Sequence, residues 1–269
     1  MSYRTSPETV LDLVTENEAH KDLYINDEVF DLEIEHLFRN TWVYVGHGSQ
    51  VPNKGDYYTT TIANQPLIMV RHSDDTIKIL ENRCAHRGVE LVAQTHGNTG
   101  RTFSCPYHAW TYKTDGSLIG IPVKEGYDKT GFEKSSAKKG LQNIKNVHVY
   151  RDFVFVRLAD EGLSFEEFFG ESLTSIDNMV DRSPEGRLEV VGNPLRYMNN
   201  CNWKMLVENQ TDSFHPMIVH YSSAGTVKKI WEEMQPYEGP KPMVVECICL
   251  LYTSDAADEG LGVDLGGRR

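Results

Sequence analysis

The spacing of hydrophobic positions changes twice along the chain, and each change predicts a different kind of element. Between residues 27 and 38, apolar side chains recur at helical spacing behind Asn26, which predicts a helix that begins at that cap. From residue 42 to residue 158, short β-rich runs alternate with turn-forming residues, which predicts antiparallel strands. A second helical pattern covers residues 164–180 and predicts an amphipathic helix.

These patterns predict an α+β fold in a chain of 269 residues, a length that suits one large domain or two modest ones. We divide the chain into an N-terminal helical segment (1–41), a small antiparallel β domain (42–158), a third region of mixed helical and strand texture (159–248) and a tail (249–269). The stretch 124–139 is rich in glycine and lysine and predicts a surface loop. The predicted strands lie at residues 42–45, 57–62, 66–70, 77–80, 111–112, 118–121, 147–150 and 153–158.

Two cysteines and two histidines fall into two pairs, each in a predicted loop of the β domain. Cys84 and His86 form the first pair, and Cys105 and His108 form the second. Two thiolates on one iron and two imidazoles on the other would hold a [2Fe–2S] cluster. Such a cluster has a potential of roughly −150 to +300 mV, against about −400 mV for clusters held by cysteine alone. The pattern therefore predicts an electron-transfer centre.

Zinc and chance are the alternatives to this cluster. Structural zinc sites usually pair like with like, as Cys-x2-4-Cys and His-x3-5-His, whereas each pair here mixes the two residue types. Arg87 and Gly88 follow the first pair, and Pro106, Tyr107 and Trp110 surround the second. With these flanks the sequence resembles the motif C-x-H-R-G…C-P-Y-H-x-W of Rieske proteins. We expect Tyr107 and backbone N–H groups to hydrogen-bond the sulfurs and so to tune the potential.

The composition limits the function and the compartment. The formal net charge is −12, which argues against a nucleic-acid-binding protein because such proteins need a basic surface. Cys201, Cys247 and Cys249 have no evident partner, so the odd total of five cysteines fits a reduced cytoplasmic setting better than a disulfide framework. The sequence contains neither a signal-peptide pattern nor an apolar run long enough for a membrane helix.

The tail differs in texture from the rest of the chain. Residues 249–259 resemble the translation of a transposase-type adapter used in short-read DNA library preparation, and residues 263–269 resemble the outer adapter of the same kit. Both matches share one reading frame. We therefore leave residues 249–269 out of the fold reasoning and expect the natural sequence to diverge near Ile248.

A second group of possible metal ligands lies between residues 202 and 220. Asp212 and His215 are three residues apart and would share a helix face, whereas His215 and His220 would not converge on a regular helix. Pro216 disfavours helical backbone at His215, so the helix is expected to break there and to bring both imidazoles together. Two histidines and one carboxylate with open positions form the facial triad of non-haem Fe(II) oxygenases. On its own this segment is also compatible with ordinary surface histidines.

Together the two groups resemble the α (large) subunit of the Rieske non-haem iron aromatic ring-hydroxylating dioxygenases, from about residue 28 to at least residue 233. By this resemblance, His215 and His220 are iron ligands. Asp212 links the Rieske histidine of a neighbouring subunit to the iron-bound histidine. Region 42–158 is then the Rieske domain, and region 159–248 is the incomplete start of a helix-on-sheet catalytic domain. The third iron ligand is expected farther along the natural sequence, so the chain as written is expected to be inactive alone.

The resemblance implies a terminal oxygenase. A reductase, with or without a ferredoxin, would pass electrons from NAD(P)H through the cluster to Fe(II), which uses O2 to hydroxylate a small aromatic substrate, as a cis-dihydroxylation. The family assembles as a homotrimer or as α3β3 with a small β subunit. Asn209 lies three residues before Asp212, as in benzoate-type members, which favours an aromatic acid. The alternatives are a Rieske monooxygenase or demethylase, and a fragment that only transfers electrons.

Overall fold

The structure is a computed structural model that describes residues 6–127, 140–192, 194–196, 198–212 and 214–236. The chain divides into two compact units, residues 1–197 and residues 198–269. Among the described helices, we find none that combines the length and the apolar character needed to span a membrane.

The first unit begins with three short helices, α1 (Pro7–Leu11), α2 (Asp22–Ile25) and α3 (Asp27–Leu32). The Asn26 side chain accepts a hydrogen bond of 2.8 Å from the Glu28 N–H, so this residue caps α3 as predicted. Beyond α3 the chain continues as a π-helical segment, Glu33–Phe38. The predicted helix at 27–38 is therefore present over its whole length, but its second half is wound more loosely than an α-helix.

Ten short strands form three antiparallel sheets in the described part of the first unit. The sheet orders are β1-β10-β9, β4-β3-β2-β5 and β6-β7-β8. The strands are β1 (Val43–His47), β2 (Asp56–Ile62), β3 (Gln65–Arg71), β4 (Ile77–Glu81), β5 (His96–Asn98), β6 (Thr102–Ser104), β7 (Thr111–Lys113), β8 (Leu118–Gly120), β9 (Asn146–Tyr150) and β10 (Phe153–Arg157).

All eight predicted strands are present, with ends shifted by one or two residues. The sequence patterns missed β5 and β6, because each has only three residues and β5 exposes polar side chains at the edge of its sheet. In the predicted loop 124–139, the described residues Lys124–Tyr127 form a single 3-10 turn, and residues 128–139 lie outside the described part of the chain.

Two of the hairpins close with two-residue turns in which both residues have positive φ. Ala63 and Asn64 connect β2 to β3, with φ values of 47° and 61°, and Arg151 and Asp152 connect β9 to β10, with φ values of 50° and 70°. Turns of this kind match the right-handed twist of paired strands, which offsets the strain of the left-handed backbone. They set the register of both hairpins.

The core of the first unit consists of two hydrophobic clusters. One lies around the β1-β10 pair and the adjoining faces of β2, β3 and β4, and its buried members include Val45, Leu67, Met69 and Val154. The other contains both cysteines of the predicted metal site. Its buried members are Tyr57, Ile68, Val70, Leu80, Cys84, Leu91, Val92, Phe103, Cys105, Trp110, Tyr112 and Leu141. The two candidate cysteine ligands are therefore anchored in the core of the β domain.

The predicted helix at 164–180 is divided into two. Ser164 caps α4 (Phe165–Phe169), a 3-10 turn covers Gly170–Ser172, and α5 (Leu173–Val180) follows. Gly170 has a φ of +48°, a left-handed conformation that ends α4. The apolar residues keep their helical spacing across Gly170, so the spacing predicts one continuous helix where the structure has two.

Phe165 joins α4 to the β domain. Its ring is 2% exposed, stacks on His148 with 3.9 Å between centroids, and meets the edge of Trp42. Because of this packing, the first compact unit extends past residue 158 to residue 197. Our boundary at residue 158 separates the predicted functional regions and does not coincide with the boundary between the two compact units. It stays a prediction.

His47, at the end of β1, is a buried titratable group away from the cysteines. Its side chain is 2% exposed, and its Nδ1 atom accepts a hydrogen bond of 3.2 Å from the Ser49 N–H. Burial lowers the pKa of His47, and the nearby Asp152 and Glu189 oppose this shift only in part. Protonation of this imidazole therefore works against the folded state.

This burial predicts a pH dependence of folding. The folded-state pKa of His47 lies below the unfolded value of about 6.5. The stabilisation is therefore present above that pH and is lost as the pH falls through the folded pKa. In a His47→Asn variant, we expect the free energy of unfolding by urea to fall less steeply below about pH 6.5 than in the wild type. Equal slopes for the two proteins would contradict this prediction.

The second unit contains three described helices, α6 (Trp203–Thr211), α7 (Phe214–Val219) and α8 (Tyr221–Glu233). Asn202 caps α6 by accepting a hydrogen bond of 3.1 Å from the Lys204 N–H. Of the predicted ligands, Asp212 lies directly after α6, His215 lies in α7 and His220 lies directly before α8.

Candidate metal centres

The first loop, between β4 and β5, carries Cys84 and His86. Two backbone hydrogen bonds of 2.8 Å close its tip: the Cys84 N–H donates to the Val89 carbonyl, and the Gly88 N–H donates to the Cys84 carbonyl. Gly88 has a φ of +69°, which allows the chain to reverse within so few residues.

Asn82 holds the base of this loop, and the sequence patterns did not predict this role. The residue is 1% exposed, its Oδ1 atom accepts from the Leu91 and Val92 N–H groups at 3.1 Å, and its Nδ2 atom donates to the Val92 carbonyl at 2.7 Å. These three bonds satisfy a buried amide and hold together the two ends of the loop. A single polar residue directly after a strand was too weak a signal to be noticed.

The second loop connects β6 to β7 and repeats the hydrogen bonds of the first. The Cys105 N–H donates to the Trp110 carbonyl at 2.8 Å, and the Ala109 N–H donates to the Cys105 carbonyl at 2.9 Å. Ala109, at a φ of +54°, occupies the position that Gly88 occupies in the first loop. The two loops therefore present their cysteines on the same local backbone frame.

This equivalence yields a prediction for Gly88. A Cβ atom added at this glycine would meet no heavy atom within 4 Å, and Ala109 already adopts the same conformation in the other loop. We expect Gly88→Ala to lower the free energy of unfolding by about 1 kcal/mol, the usual strain of a left-handed alanine, and to leave metal binding intact. Urea unfolding and the visible absorption of the reconstituted chain measure the two effects.

The matched control is Ala109→Gly, which relieves the same strain while it makes the unfolded chain more flexible. The relief of strain is the larger of the two effects, as it is with the opposite sign in Gly88→Ala, so we expect the free energy of unfolding to rise by a similar amount, about 1 kcal/mol. Loss of the metal centre in Gly88→Ala would mean that the first loop needs its glycine for more than its conformation.

The loops bring all four predicted ligands together. Cys84 and Cys105 are each 3% exposed, and the rings of His86 and His108 meet edge to face with 4.7 Å between centroids. The Nδ1 atoms of both histidines are buried. Within the described chain, the Nδ1 atom of His108 has no hydrogen-bond partner. A buried nitrogen is costly without a partner, and a metal ligand role would satisfy it.

Aromatic side chains orient the two imidazoles. The Trp110 side chain is 2% exposed and stacks on His86, with 4.7 Å between centroids and 7° between planes. Tyr107 lies against His108 at 3.7 Å and is 57% exposed. The His86 ring is therefore held by the buried indole of Trp110, whereas the His108 ring is covered by the exposed ring of Tyr107.

In the described structure, the tyrosine that contacts a sulfur is Tyr112 rather than Tyr107. Its hydroxyl lies 3.1 Å from the Cys84 Sγ atom, and its side chain is fully buried. Burial, followed by the contact with Cys84, raises the pKa of this phenol, which therefore stays protonated. The alternation of Trp110 and Tyr112, two residues apart on one face of the chain leading into β7, was the available signal.

The second group lies in the second unit, at a break between α6 and α7. The rings of His215 and His220 meet edge to face at 5.0 Å, so these two imidazoles do converge. The break itself is at Asp212, whose backbone is extended, and not at His215 as predicted. Pro216 falls in the first turn of α7, where backbone positions have no intrahelical acceptor, so the helix tolerates it.

Asp212 contacts the backbone of His215 at this break. Its Oδ1 atom accepts a hydrogen bond of 3.1 Å from the His215 N–H, in the manner of a helix cap. Across the described residues, no three His, Cys, Asp or Glu side chains converge as ligands for a single ion. A Rieske cluster needs only two protein ligands on each iron, so the four ligands of the first unit still match its donor set.

The fold and the arrangement of the two Cys/His pairs are those expected of a Rieske [2Fe–2S] domain. In agreement, residues 41–143 match the model of the Rieske [2Fe-2S] domain family. The chain is 37% identical over 209 residues to toluate 1,2-dioxygenase subunit alpha of Pseudomonas putida, covering 77% of this chain and 45% of the relative. It is 38% identical over 209 residues to the anthranilate 1,2-dioxygenase large subunit of Acinetobacter baylyi, covering 77% of this chain and 43% of the relative.

A solved structure gives the same result. Naphthalene 1,2-dioxygenase from Rhodococcus sp., bound to indole, superposes with a TM-score of 0.67 and 35% identity, over 74% of this chain and 45% of that one. The chain contains a Rieske [2Fe-2S] domain, and its homologues are α subunits of aromatic ring-hydroxylating dioxygenases. It spans a little under half the length of these relatives.

Proposed function

We propose that this chain is part of the terminal component of an oxygenase that hydroxylates an aromatic ring. The observation that carries the proposal is the presence, in one chain, of two Cys/His pairs whose imidazoles meet and of a second pair of convergent histidines. A Rieske cluster supplies single electrons, and a mononuclear Fe(II) with open positions uses such electrons to activate O2.

The residues of the first unit would hold and shield the cluster. Cys84 and Cys105 would bind one iron from within the core, and the buried Nδ1 atoms of the half-exposed His86 and His108 would bind the other. The stacking of Trp110 on His86 keeps that ring in its binding orientation. Burial of the thiols excludes water from the sulfur side.

The residues of the second unit would hold the mononuclear iron. His215 and His220 would supply two imidazoles, and a carboxylate outside the described residues would supply the third ligand. Asp212 already fixes the backbone of His215, and its carboxylate is exposed. We assign to it the further role of accepting a hydrogen bond from a Rieske histidine of a neighbouring subunit, which requires an assembly of at least two subunits.

The proposed substrate is a small aromatic acid, and the proposed outcome is cis-dihydroxylation. Two relatives are named for toluate and anthranilate, both aromatic carboxylates, and the spacing of Asn209 from Asp212 points the same way. Electrons would come from NAD(P)H through a reductase, with or without a ferredoxin. The assembly would be an α3 or α3β3 ring in the cytoplasm.

Sequencing of the source DNA across the codons for residues 246–249 tests the assignment of the tail. Residues 249–269 lie outside the described residues, and we propose that they are translated adapter sequence. If the reading frame in the source DNA continues for the length of a domain and encodes a carboxylate ligand, that segment would supply the rest of the iron site. A reading frame that ends at Arg269 would favour the electron-transfer fragment.

The His215→Ala variant tests the oxygenase itself, in the full-length protein encoded by that continued frame. We expect it to lose the mononuclear iron and the oxidation of benzoate, and to keep the visible and EPR spectra of the Rieske cluster. The control is His96→Ala, which removes an exposed histidine from β5. Unchanged turnover and iron content in His215→Ala would overturn the proposal.

A further inference from the structure

The two loops that carry the predicted ligands are closed in different ways. The second loop is closed by its own strands, since Ser104 at the end of β6 pairs directly with Thr111 at the start of β7. The first loop runs from β4 to β5, which are the two outer strands of one sheet with the order β4-β3-β2-β5. At about 4.8 Å between neighbouring strands, β4 and β5 lie roughly 14 Å apart. Pairing of its two flanking strands therefore cannot close the first loop.

The side chain of Asn82, the residue directly after β4, closes the first loop instead. Its Oδ1 atom accepts from the Leu91 and Val92 N–H groups at 3.1 Å. Its Nδ2 atom donates to the Val92 carbonyl at 2.7 Å and to the Glu90 Oε1 atom at 3.2 Å. These four hydrogen bonds, which we call the Asn82 clamp, use every donor and acceptor position that an asparagine side chain offers. Since Asn82, Leu91 and Val92 are buried, water does not compete for the clamp.

The Asn82 clamp encloses two of the predicted ligands. Cys84 and His86 lie along the chain between Asn82 and Leu91. Cys84, Leu91 and Val92 are members of the same core cluster, so the clamp holds the ligand-bearing segment against the core. A loop that is already ordered has little conformational entropy left to lose when its side chains bind a metal. The clamp therefore prepares the first loop for iron before iron is bound.

We propose that Asn82 is a positioning residue for the Rieske cluster. It binds no iron itself and acts through the backbone of the first loop, which it holds so that His86 meets His108 of the second loop. With the clamp in place, the four ligands have one arrangement and retain the cluster. Without it, the first loop takes several arrangements and releases iron more readily. The inference rests on the cluster assignment of the proposed function.

The Asn82→Ala variant tests this role in the full chain reconstituted with iron and sulfide. The substitution removes the acceptor of the buried Leu91 and Val92 N–H groups. We expect the half-life of the visible Rieske absorption in excess EDTA to fall about tenfold or more, an effect typical of losing a group that orients a metal ligand. We also expect broader lines in the EPR spectrum of the reduced cluster, because its ligands no longer have a single arrangement.

Val154→Ala is the matched control for a general loss of stability. Val154 is fully buried in the hydrophobic cluster that lacks the cysteines, so its truncation weakens the fold and leaves the Asn82 clamp intact. We expect its half-life in EDTA and its EPR line widths to equal those of the wild type. Equal effects in the two variants, or no effect in Asn82→Ala, would overturn the proposal.

Amide hydrogen exchange of the metal-free wild type tests the inference even if Asn82→Ala does not fold. We expect the protection factors of the Leu91 and Val92 amides to exceed that of the exposed Arg87 amide by at least about tenfold. Similar protection at all three positions would mean that the loop is not held before iron binds, which contradicts the inference. A wild-type chain that assembles no Rieske cluster would instead overturn the cluster assignment, so the two failures are distinguishable.

Discussion

Replacement of Cys105 by alanine is expected to eliminate the [2Fe–2S] cluster. The residue is 3% exposed in the core, and one iron of the cluster would lose half of its protein ligands. Alanine offers no donor atom, and neighbouring side chains are held by the closed loop, so no other ligand can replace it. We expect reconstitution with iron and sulfide to give no Rieske absorption and no Rieske EPR signal.

Cys201→Ala is the matched control for this variant. Cys201 is an exposed free cysteine in the second unit, and its loss removes the same functional group from the chain. We expect its cluster content to equal that of the wild type. Retention of the Rieske spectrum in Cys105→Ala, or its loss in Cys201→Ala, would show that the ligands are assigned to the wrong cysteines.

Replacement of Trp110 by alanine is expected to have the largest effect on stability. The indole is 2% exposed, packs in the core cluster with both cysteines, and stacks on His86. Removal of a buried tryptophan typically costs about 3–5 kcal/mol, from lost burial and from the cavity that remains. Since whole domains are stable by only about 5–15 kcal/mol, this loss is expected to remove a large share of the stability of the first unit.

Urea unfolding of the metal-free chain measures this loss without the contribution of the cluster. Trp110→Phe is the graded control, because a smaller ring keeps part of the stacking on His86. We expect its loss to be clearly smaller than that of the alanine variant. A change below about 1 kcal/mol in Trp110→Ala would contradict the packing, because surface substitutions commonly have effects of that size.

The longer strands of the β domain were predictable because most of their residues are at least partly buried, and in β3 and β10 four consecutive residues are buried, so both faces are covered. Residues 66–70 and 153–158 are rich in apolar residues, and the structure has strands at both places. Strands β5 and β6 were not predictable, since three polar or mixed residues carry no period of their own. They are strands only because a neighbouring strand is available to pair with them.

The helical segments also show which features local sequence patterns do not predict. The span of the helix after Asn26 followed from its apolar spacing and its cap, whereas the change to π-helical winding at Glu33 did not. The predicted break near Pro216 was close to the real one but was placed three residues too late. Proline excludes certain backbone positions, but the surrounding structure decides which of the remaining positions the chain uses.

The sequence alone determined which atoms are available for chemistry. Cys84, His86, Cys105 and His108 are recognisable because iron–sulfur chemistry needs these residue types, and their short spacings keep each pair within one loop. The convergence of His215 and His220 was predicted from a break at Pro216, whereas the structure has the break at Asp212 and keeps Pro216 within α7. Residues whose side-chain atoms would bind a metal directly can thus be identified from their type and spacing before the fold is known.

Only the tertiary structure decided what surrounds those atoms. Tyr112 and Cys84 are 28 residues apart, and their contact exists because β7 and the first loop pack into the same core cluster. The burial of the histidine Nδ1 atoms depends in the same way on the meeting of two loops. Such contacts join distant parts of the chain, and the entropy of bringing these parts together is offset by the whole core rather than by any local pattern.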